Sequence, residues 1–490
     1  MSGVHELAEA VLLPGFAGTT APDWVRDRLA AGLGGVVLFG RNVVDDEQVA
    51  ALTAQLRADR GDVVIGIDEE GGDVTRLDAV TGARLPGPLA LGAAGDLRLT
   101  RAAGAALGAR LAACGITLDL APCADLTLTP DDPIIGVRAF GHRAYAAAAH
   151  VAEYVRGLQE HGVAACAKHF PGHGASTSDS HHELPVLPRT VEQLRAVEFL
   201  PFRAAIAAGV RSVMTGHLVV PEWGSEAATV NPVAIGTALR GELGFTGTVV
   251  TDALEMGALA GHLGNADGLA DAAVRSLRAG ADALCVGGQI ADAEAVVAIV
   301  DAIVARVRAG DLTEERLAEA AERTRALGAP PRRATRPDDG GLGQVIARRA
   351  LRSRGSARLP ADPLVLDVEV APTIAAGPGP WGLAPHLADL LPGATAVRVD
   401  PGDPGDAVSR ARARGEVVVV TRDAHRHPDV VALLDALVAA VPVVVHVETG
   451  VPGPDRGATA RIDTSGASWS GLRAAAEAVA ALTPGARPAP

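Results

Sequence analysis

Polar side chains that could carry out acid–base or nucleophilic chemistry close several short apolar runs of the sequence. In chain order these residues are Asp68, Lys168, His169, His217 and Asp252. Burying such groups without partners is costly, so their repeated position at the end of an apolar run favours a functional site over core packing. A carboxylate such as Asp252 could act as a nucleophile or as a general base, although it could equally cap a following helix.

Lys168 is the only lysine of the chain, and every other residue of the Lys/Arg class is an arginine. Lysine offers a compact ammonium group and arginine a planar fork of donors, so the two are not interchangeable at a specific site. Its position at the end of an apolar run, beside His169, indicates a site that requires the smaller donor.

The segment 167–185, AKHFPGHGASTSDSHHELP, contains the densest group of histidines in the sequence. Its proline and glycines exclude a regular helix and predict a loop after a strand. A metal could be bound by imidazole and carboxylate groups, which suit zinc; the candidates are His169, His173, Asp179 and His181. Two histidines four positions apart share a face only on a helix, and the cation of Lys168 would repel a metal, so we expect none.

Asp179 and His181 allow a second interpretation of the same loop. A carboxylate close to a histidine can orient the imidazole ring and stabilise its protonated form. Because the unperturbed pKa of histidine is about 6.5, such a ring can donate and then accept a proton near neutral pH. The pair therefore predicts a proton shuttle, although a hydrogen bond that only staples the loop is an alternative.

Short β-branched runs alternate with longer helical stretches from about residue 10 to residue 330. Each run is apolar almost to its end, which is typical of strands buried on both faces. Repeated βα units of this kind predict an α/β fold, a (β/α)8 barrel of the TIM type, whose working residues lie at the carboxyl ends of the strands. The predicted strands are 35–39, 63–68, 115–120, 163–168, 211–217, 247–252 and 281–287.

The segment 331–345 is rich in proline, glycine and charge, and it is predicted to link a catalytic barrel over 1–330 to a second domain over 346–490. The second domain repeats the alternation on a smaller scale, which predicts a small α/β sandwich with a parallel sheet and a disordered C-terminal tail. Its predicted strands are 363–370, 395–400, 416–421, 442–448 and 459–463, and its predicted helices are 404–413, 428–440 and 470–482.

The segment GPGPWG (377–382) matches GxGxxG after a predicted strand, and Asp400 ends the next strand as in a dinucleotide site. Pro378 and Pro380 remove backbone N–H donors that would have to bind a pyrophosphate. We therefore interpret the segment as a Pro/Gly loop, and we expect no cofactor.

The composition excludes several classes of partner. The 490 residues include 44 basic and 58 acidic side chains, so the formal net charge is −14 and neither nucleic acid nor an anionic membrane is an expected partner. No stretch approaches the roughly 20 apolar residues of a spanning helix, and the first residues lack the features of a secretory signal. The four cysteines lie in apolar runs without a CxxC pair, which is typical of reduced core residues in a cytoplasmic protein.

Several of these motifs, in this order, resemble those of glycoside hydrolase family 3, and within it the bacterial β-N-acetylglucosaminidases. They span nearly all of the predicted barrel, whereas the second domain resembles the family only in being a small α/β sandwich. The similar segments are GGVVLFGRN (34–42), DEEGGDVTRL (68–77), GITLDLAPCAD (115–125), IIGVRAFG (134–141), KHFPGHG with DSH (168–181), SVMTGH (212–217) and LRGELGFTGTVVTDALEM (239–256).

The resemblance implies a retaining mechanism and assigns roles to individual residues. Asp252 corresponds to the nucleophile that forms a covalent glycosyl-enzyme, and His181, partnered by Asp179, corresponds to the general acid/base. A histidine would here replace the carboxylic acid that most retaining glycosidases use for proton transfer. The residues assigned to substrate binding are Asp68, Arg76, Arg138, Lys168, His169, His217 and Met256.

The implied activity is that of an exo-β-N-acetylglucosaminidase that releases terminal N-acetylglucosamine from small carbohydrates, namely peptidoglycan fragments during cell-wall recycling. Two alternatives stay open. A neutral imidazole base would not repel an incoming anion, so a β-N-acetylglucosaminide or β-glucoside phosphorylase could use phosphate instead of water. A metal-dependent barrel hydrolase that uses the histidine cluster is the second alternative.

Overall fold

The computed structural model describes residues 3–176, 184–256, 259, 266–287, 292–332, 334, 340–373, 375–377, 379 and 381–484. Asp179, His181, Pro378 and Pro380 lie outside the described residues, as do residues 485–490 of the predicted tail. None of the described helices is long and apolar enough to cross a membrane. The chain forms two compact units, the first comprising Met1–Glu70, Leu97–Ile135 and His142–Pro337 and the second Gly71–Asp96, Gly136–Gly141 and Asp338–Pro490.

The described part of the first unit contains eight short parallel strands in barrel order. Strands β2 to β7 form one sheet in sequence order, β1 pairs with β8, and a bridge from Val250 to Ala283 joins β7 to the residue before β8. One buried apolar cluster receives side chains from all of these strands, as the interior of a barrel requires. The predicted barrel is therefore confirmed. The strands are β1 Leu12–Pro14, β2 Gly35–Leu38, β3 Val64–Ile67, β4 Leu118–Asp119, β5 Ala164–Phe170, β6 Ser212–Thr215, β7 Thr248–Thr251 and β8 Leu284–Val286.

Helices follow the strands of the first unit, and several begin at a residue whose side chain caps a free backbone N–H. Asp45 accepts a hydrogen bond from the amide of Gln48, and Asp292 accepts one from the amide of Ala295. The α-helices are Gly3–Ala10, Asp23–Ala31, Asp46–Asp59, Leu97–Ala113, Ala144–Leu158, Val191–Ala196, Phe199–Ala207, Ala266–Ala279, Ala293–Ala309 and Glu314–Ala326, with a π-helix at Val233–Glu242 and 3₁₀ helices at Gly40–Asn42, Gln159–His161, Pro221–Trp223 and Ala228–Val230.

The second unit is built around a mostly parallel sheet with the order β11–β10–β12–β13–β14–β9, in which only β9 is antiparallel among the described strands. The strands are β9 Arg352–Gly355, β10 Leu364–Val368, β11 Thr395–Val399, β12 Glu416–Thr421, β13 Val443–Glu448 and β14 Ala460–Asp463. Its α-helices are Pro88–Ala94, Gly340–Ala350, Ala384–Leu387, Gly405–Arg414, Pro428–Ala440 and Trp469–Ala480, and its 3₁₀ helices are Gly136–Arg138 and Ala424–Arg426.

Both faces of this second sheet are covered. Along β12, Val417 and Val419 belong to one buried apolar cluster, whereas Val418 and Val420 belong to another. Successive side chains of a strand point to opposite faces, so two separate clusters mean two layers of helices. The predicted α/β sandwich is confirmed.

The structure differs from the sequence-based expectations in a few elements. The sequence does not predict β1, which has only three residues, or β9, whose four residues are all exposed and therefore lack an apolar pattern. The helix Gly340–Ala350 begins inside the segment predicted as a linker, 331–345. The division between the units at 337/338 lies in that segment, and 71–96 and 136–141 belong to the second unit although they follow β3 and β4. The predicted domain boundaries stay a prediction.

A buried carboxylate fixes the position of β7, the strand that precedes Asp252. Asp282 has no exposed side-chain surface, and its Oδ2 atom accepts a hydrogen bond from the amide of Val249 at 2.9 Å. Three guanidinium groups surround the same carboxylate at 2.6, 2.7 and 3.3 Å, and they belong to Arg240, Arg316 and Arg323. The contacts join the start of β7 to the segment before β8, to the π-helix and to the helix Glu314–Ala326.

Replacement of Asp282 by alanine should lower the free energy of unfolding by about 3 kcal/mol, because three arginines then lose their shared counter-charge. Urea unfolding followed by circular dichroism measures the change. The matched control is Asp301→Ala, at an exposed position of the helix Ala293–Ala309, which should cost less than about 0.5 kcal/mol. Equal stability of the two variants would contradict the role given to Asp282.

Candidate active site

The only lysine of the chain lies in a buried ion-pair cluster that joins the ends of two barrel strands. Lys168 belongs to β5, and its Nζ atom is 2.6 Å from Oδ1 of Asp68 and 2.9 Å from Oε1 of Glu70, which both follow β3. A buried ammonium needs such partners because its removal from water costs several kcal/mol. The side chain of Asp68 is 18% exposed, whereas those of Lys168 and Glu70 are 2% and 0% exposed. Asp68 is therefore the member of the cluster that reaches solvent.

Sequence reasoning missed Glu70. The only signal for it is its place in the acidic run DEEGG (68–72), which does not tell which of three consecutive carboxylates points inwards. The burial of Glu70 beside Lys168 separates it from Asp68, and this contact could not be read from spacing.

A second missed residue, Asp125, organises the loop after β5. Its carboxylate accepts hydrogen bonds from Nδ1 of His169 at 2.7 Å, from the amide of His169 at 3.1 Å and from the amide of His173 at 2.7 Å. Burial alone would raise the pKa of Asp125, but the charge and hydrogen bond of His169, with those of His173, hold this pKa below its usual value. Because Nδ1 of His169 is bound to the carboxylate, Nε2 is the ring nitrogen that can meet a ligand.

Asp125 and His169, together with Cys123, form the one group in the described part of the chain that could be considered for a metal. Ligand atoms of Cys123, Asp125 and His169 lie within 4.8 Å of one another. However, Nδ1 of His169 is 2.7 Å from Oδ2 of Asp125, and Sγ of Cys123 is 3.2 Å from the same oxygen. Ligands of a tetrahedral zinc at about 2.0–2.3 Å stand more than about 3.2 Å apart, so the short contact to His169 fits a hydrogen bond and does not fit a ligand set.

Asp252 follows β7, and backbone contacts from the neighbouring strand fix its position. Its amide donates to the carbonyl of Thr215 in β6 at 3.1 Å, and its Oδ1 atom accepts from the amide of Ala253 at 2.8 Å. His217 follows β6, and its Nε2 atom donates to the carbonyl of Ala253 at 2.9 Å, while its Nδ1 atom is 2.8 Å from Oγ1 of Thr229. Both ring nitrogens of His217 are thus engaged with the protein, so its contacts are those of a group that positions the backbone next to Asp252.

Several carboxylates follow parallel strands of the barrel and therefore lie at the same end of it. Burial raises the pKa of the Cys285 thiol in β8 well above its usual value, and the negative charges of Glu255, Asp252 and Asp68 raise it further. Glu255 also accepts a hydrogen bond from the amide of Gly287, just after β8, at 3.1 Å. Acidic groups that follow β3 and β7 therefore lie at the carboxyl ends of the strands, where a barrel has its site, and one of them binds the backbone just after β8.

The structure places the remaining predicted site residues as follows. Met256 is buried, and its amide donates at 3.1 Å to the carbonyl of Ala253, which His217 also contacts. Arg76 and Arg138 belong to the second unit; Nη1 of Arg76 donates to the carbonyl of Ala375 at 2.9 Å, and Arg138 is buried at the end of a 3₁₀ helix. The structure brings Asp68 and Lys168 into contact, whereas Asp179 and His181 lie outside the described residues. The roles assigned to all of these residues stay predictions.

Comparison with known proteins identifies relatives over both units. A family model described as the glycosyl hydrolase family 3 N terminal domain matches residues 18–327. A β-hexosaminidase of Chromobacterium violaceum is 41% identical over 296 residues, which cover 58% of this chain and 80% of that protein. A β-hexosaminidase of Stenotrophomonas maltophilia is 39% identical over 287 residues, covering 56% of this chain and 83% of the relative.

Similar solved structures extend over the second unit as well. A glycoside hydrolase family 3 β-N-acetylglucosaminidase from Paenibacillus sp. FPU-7 has a TM-score of 0.87 at 31% identity and covers 98% of this chain and 97% of its own. A β-N-acetylhexosaminidase from Beutenbergia cavernae has a TM-score of 0.59 at 29% identity and covers 67% of this chain and 99% of its own. A β-glucoside phosphorylase, BglX, has a TM-score of 0.73 and covers 97% and 91%, but at 18% identity this likeness shows the fold alone.

Replacement of Asp125 by asparagine should lower the free energy of unfolding by about 1–3 kcal/mol, because an amide cannot accept all of the donors that converge on the carboxylate. The variant should also lose the downfield proton resonance expected of an imidazole N–H that is bound to a carboxylate. Urea unfolding and proton NMR measure the two effects. Asp131→Asn, at an exposed position nearby in the chain, is the control and should change neither; a variant of Asp125 that behaves like it would refute the assignment.

Proposed function

The chain belongs to glycoside hydrolase family 3, and from this premise we propose that it is a retaining exo-β-N-acetylglucosaminidase with Asp252 as its nucleophile. One observation supports the proposal most: Asp68 and Asp252 follow β3 and β7 of the same barrel, and Asp68 lies 2.6 Å from the buried ammonium of Lys168. A retaining glycosidase needs an anion beside groups that bind sugar hydroxyls. Because its relatives are β-hexosaminidases, the chain is a glycoside hydrolase of that kind. The individual steps of the reaction described below are proposed.

In the first step, a carboxylate oxygen of Asp252 attacks the anomeric carbon as the bond to the leaving oxygen breaks, and His181 gives its proton to that oxygen. In the second step, His181 takes a proton from water, the water oxygen bonds to the anomeric carbon, and the carboxylate of Asp252 is released. Two inversions retain the β configuration. Asp179 orients the ring of His181 and stabilises it when it is charged.

The groups around the nucleophile suit the recognition of a terminal sugar. The carboxylate of Asp68 would accept hydrogen bonds from two hydroxyls, while the Lys168 ammonium and Nε2 of His169 would contact hydroxyl oxygens. These donors and acceptors are held before substrate arrives, because Glu70 fixes Lys168 and Asp125 fixes His169. Arg76, Arg138 and Met256 complete the proposed set of substrate-binding residues, and His217 would act through the backbone of residue 253.

We further propose that the substrates are small β-linked N-acetylglucosaminides derived from peptidoglycan and that the enzyme works in the cytoplasm. The sugar is supported by the β-N-acetylglucosaminidase whose structure matches 98% of the chain. The cellular compartment is supported by the four cysteines, which are all buried thiols in the reduced form.

Replacement of Asp252 by alanine should reduce turnover of an aryl β-N-acetylglucosaminide on the order of 10⁴-fold or more, because no covalent intermediate can form. Added azide should restore part of the turnover by attacking the anomeric carbon in place of the missing carboxylate, and the product should be the α-glycosyl azide. Asp301→Ala is the matched control. Full activity of the Asp252 variant, or a β-glycosyl azide as its product, would exclude the nucleophile assignment.

Replacement of His181 by alanine should slow the same reaction by about 10²–10⁴-fold, because proton transfer to the leaving oxygen and from water is lost. The loss in the first step should be smaller for an aryl group that leaves without a proton than for an alkyl group. The neighbouring histidine supplies the control, since His182→Ala should retain most of the activity. An equal loss in both variants, with no dependence on the leaving group, would contradict the assignment.

The acceptor of the second step is tested by turnover in the presence and absence of excess phosphate. Hydrolysis predicts free N-acetylglucosamine, formed first as its β anomer, at a rate that phosphate does not change. Proton NMR of the early product distinguishes it from a sugar 1-phosphate. Formation of N-acetylglucosamine 1-phosphate would instead establish the phosphorylase alternative.

A further inference from the structure

The second unit contains a cavity of about 500 Å³ at the carboxyl ends of its parallel strands. The chain passes from β10 to β11 on one side and then returns to β12 on the other side of β10, so the direction of winding reverses between β10 and β12. Ligands of open α/β sheets bind outside the strand ends at such a reversal, and the volume is that of a small-molecule site. The charged and aromatic residues of the lining are Asp367, Glu369, Trp381, Arg398, Asp400 and Arg422.

One wall of the cavity is aromatic and firmly held. The guanidinium of Arg422 lies 4.0 Å from the centre of the Trp381 ring and also pairs with Asp73 at 2.5 Å. Arg422 is buried, whereas Trp381 is only half-buried. The cation stacks on one face of the indole, and the accessible part of this half-buried ring gives the cavity an apolar surface.

Apart from the side chains that form ion pairs, the charged groups that line the cavity are carboxylates. Arg398 pairs with Glu369 at 3.7 Å, and Arg422 pairs with Asp73. Asp367 and Asp400 have no ion pair with any described residue; they accept hydrogen bonds from the backbone amides of Leu383 and Gly402, respectively, at 3.0 and 2.9 Å. Two carboxylates therefore remain to accept hydrogen bonds from a ligand, and an anionic ligand would be repelled.

The loop that matches GxGxxG does not offer a phosphate site. The amide of Gly377 donates to Thr373 at 2.9 Å, that of Gly379 donates to Gly377 at 3.0 Å, and that of Trp381 donates to Gly379 at 2.9 Å. These donors are used inside the loop, so the described amides cannot cradle a pyrophosphate as a dinucleotide site requires. The helix that follows, Ala384–Leu387, is a single turn.

We propose that this cavity is a second carbohydrate site, which binds a pyranose sugar without negative charge. The C–H face of the sugar would lie on the indole of Trp381, and its hydroxyls would donate to the carboxylates of Asp367 and Asp400. An indole beside hydrogen-bond acceptors meets both the apolar and the polar side of such a ring. The site goes beyond the proposed hydrolysis, because none of its lining residues is among those assigned to that reaction.

Proton–nitrogen NMR of the full chain tests the site without relying on catalysis. The chain has four tryptophans, and the indole N–H signal of Trp381 is assigned by its absence in Trp381→Phe. N-acetylglucosamine and glucosamine should each shift that signal saturably, and adenosine monophosphate should not. A Trp381 signal that stays unchanged while the sugars are raised to millimolar concentrations, or that responds only to the nucleotide, would overturn the proposal.

A matched pair of variants locates the contact. Asp400→Asn keeps an acceptor for the amide of Gly402 but removes the charge, and it should weaken the sugar-dependent shift of Trp381 about tenfold. Asp403→Asn, an exposed position three residues on, should leave the affinity unchanged. Equal affinities in the two variants would contradict the role of Asp400. Hydrolysis of an aryl β-N-acetylglucosaminide by both variants, measured in parallel, separates a failure of this site from a failure of the proposed function.

Discussion

The burial of the Lys168 ammonium is the constraint on which the arrangement of the site depends. A cation with almost no contact with water is tolerated only if carboxylates surround it, and Glu70 and Asp68 meet that need at 2.9 and 2.6 Å. The pairing fixes the end of β3 against β5 and leaves Asp68 partly exposed. The same principle acts one loop further on, where the buried carboxylate of Asp125 gathers the donors of His169 and His173. Rigid donors and acceptors at the strand ends are the result, and they are present without a ligand.

The second unit includes two segments of the chain that follow barrel strands, in addition to the C-terminal part of the chain. The segment Gly71–Asp96 comes directly after the acidic run at the end of β3, yet it is part of the second unit. It is anchored there by the pairing of Asp73 with Arg422 and by the hydrogen bond of Arg76 to the carbonyl of Ala375. Arg76, one of the proposed substrate-binding residues, is therefore held by contacts within the second unit.

Strand periodicity predicted most of the fold, since seven barrel strands and five sandwich strands have apolar runs of ordinary length. It missed β1 and β9, which are too short or too exposed to carry a pattern. The same limit applies to the residues of the candidate site. Residues at strand ends, such as Lys168 and Asp252, could be proposed from the sequence because the carboxyl ends of barrel strands lie at the same end of the barrel. Asp125 and Glu70 could not be identified, because each is defined by a contact with a distant segment of the chain. Asp125 binds His169, which lies 44 positions away, and Glu70 pairs with Lys168, which lies 98 positions away.

The central claim is that Asp252 forms a covalent bond with the sugar. Incubation with a fluorinated N-acetylglucosaminyl fluoride tests it most directly, because the electron-withdrawing fluorine slows both steps and the fluoride leaving group lets the first step outrun the second. Mass spectrometry of the intact chain should show the mass of one sugar added, and proteolysis should place it on the peptide that contains Asp252. A label on another residue, or rapid turnover that gives the α anomer without any label, would contradict the account.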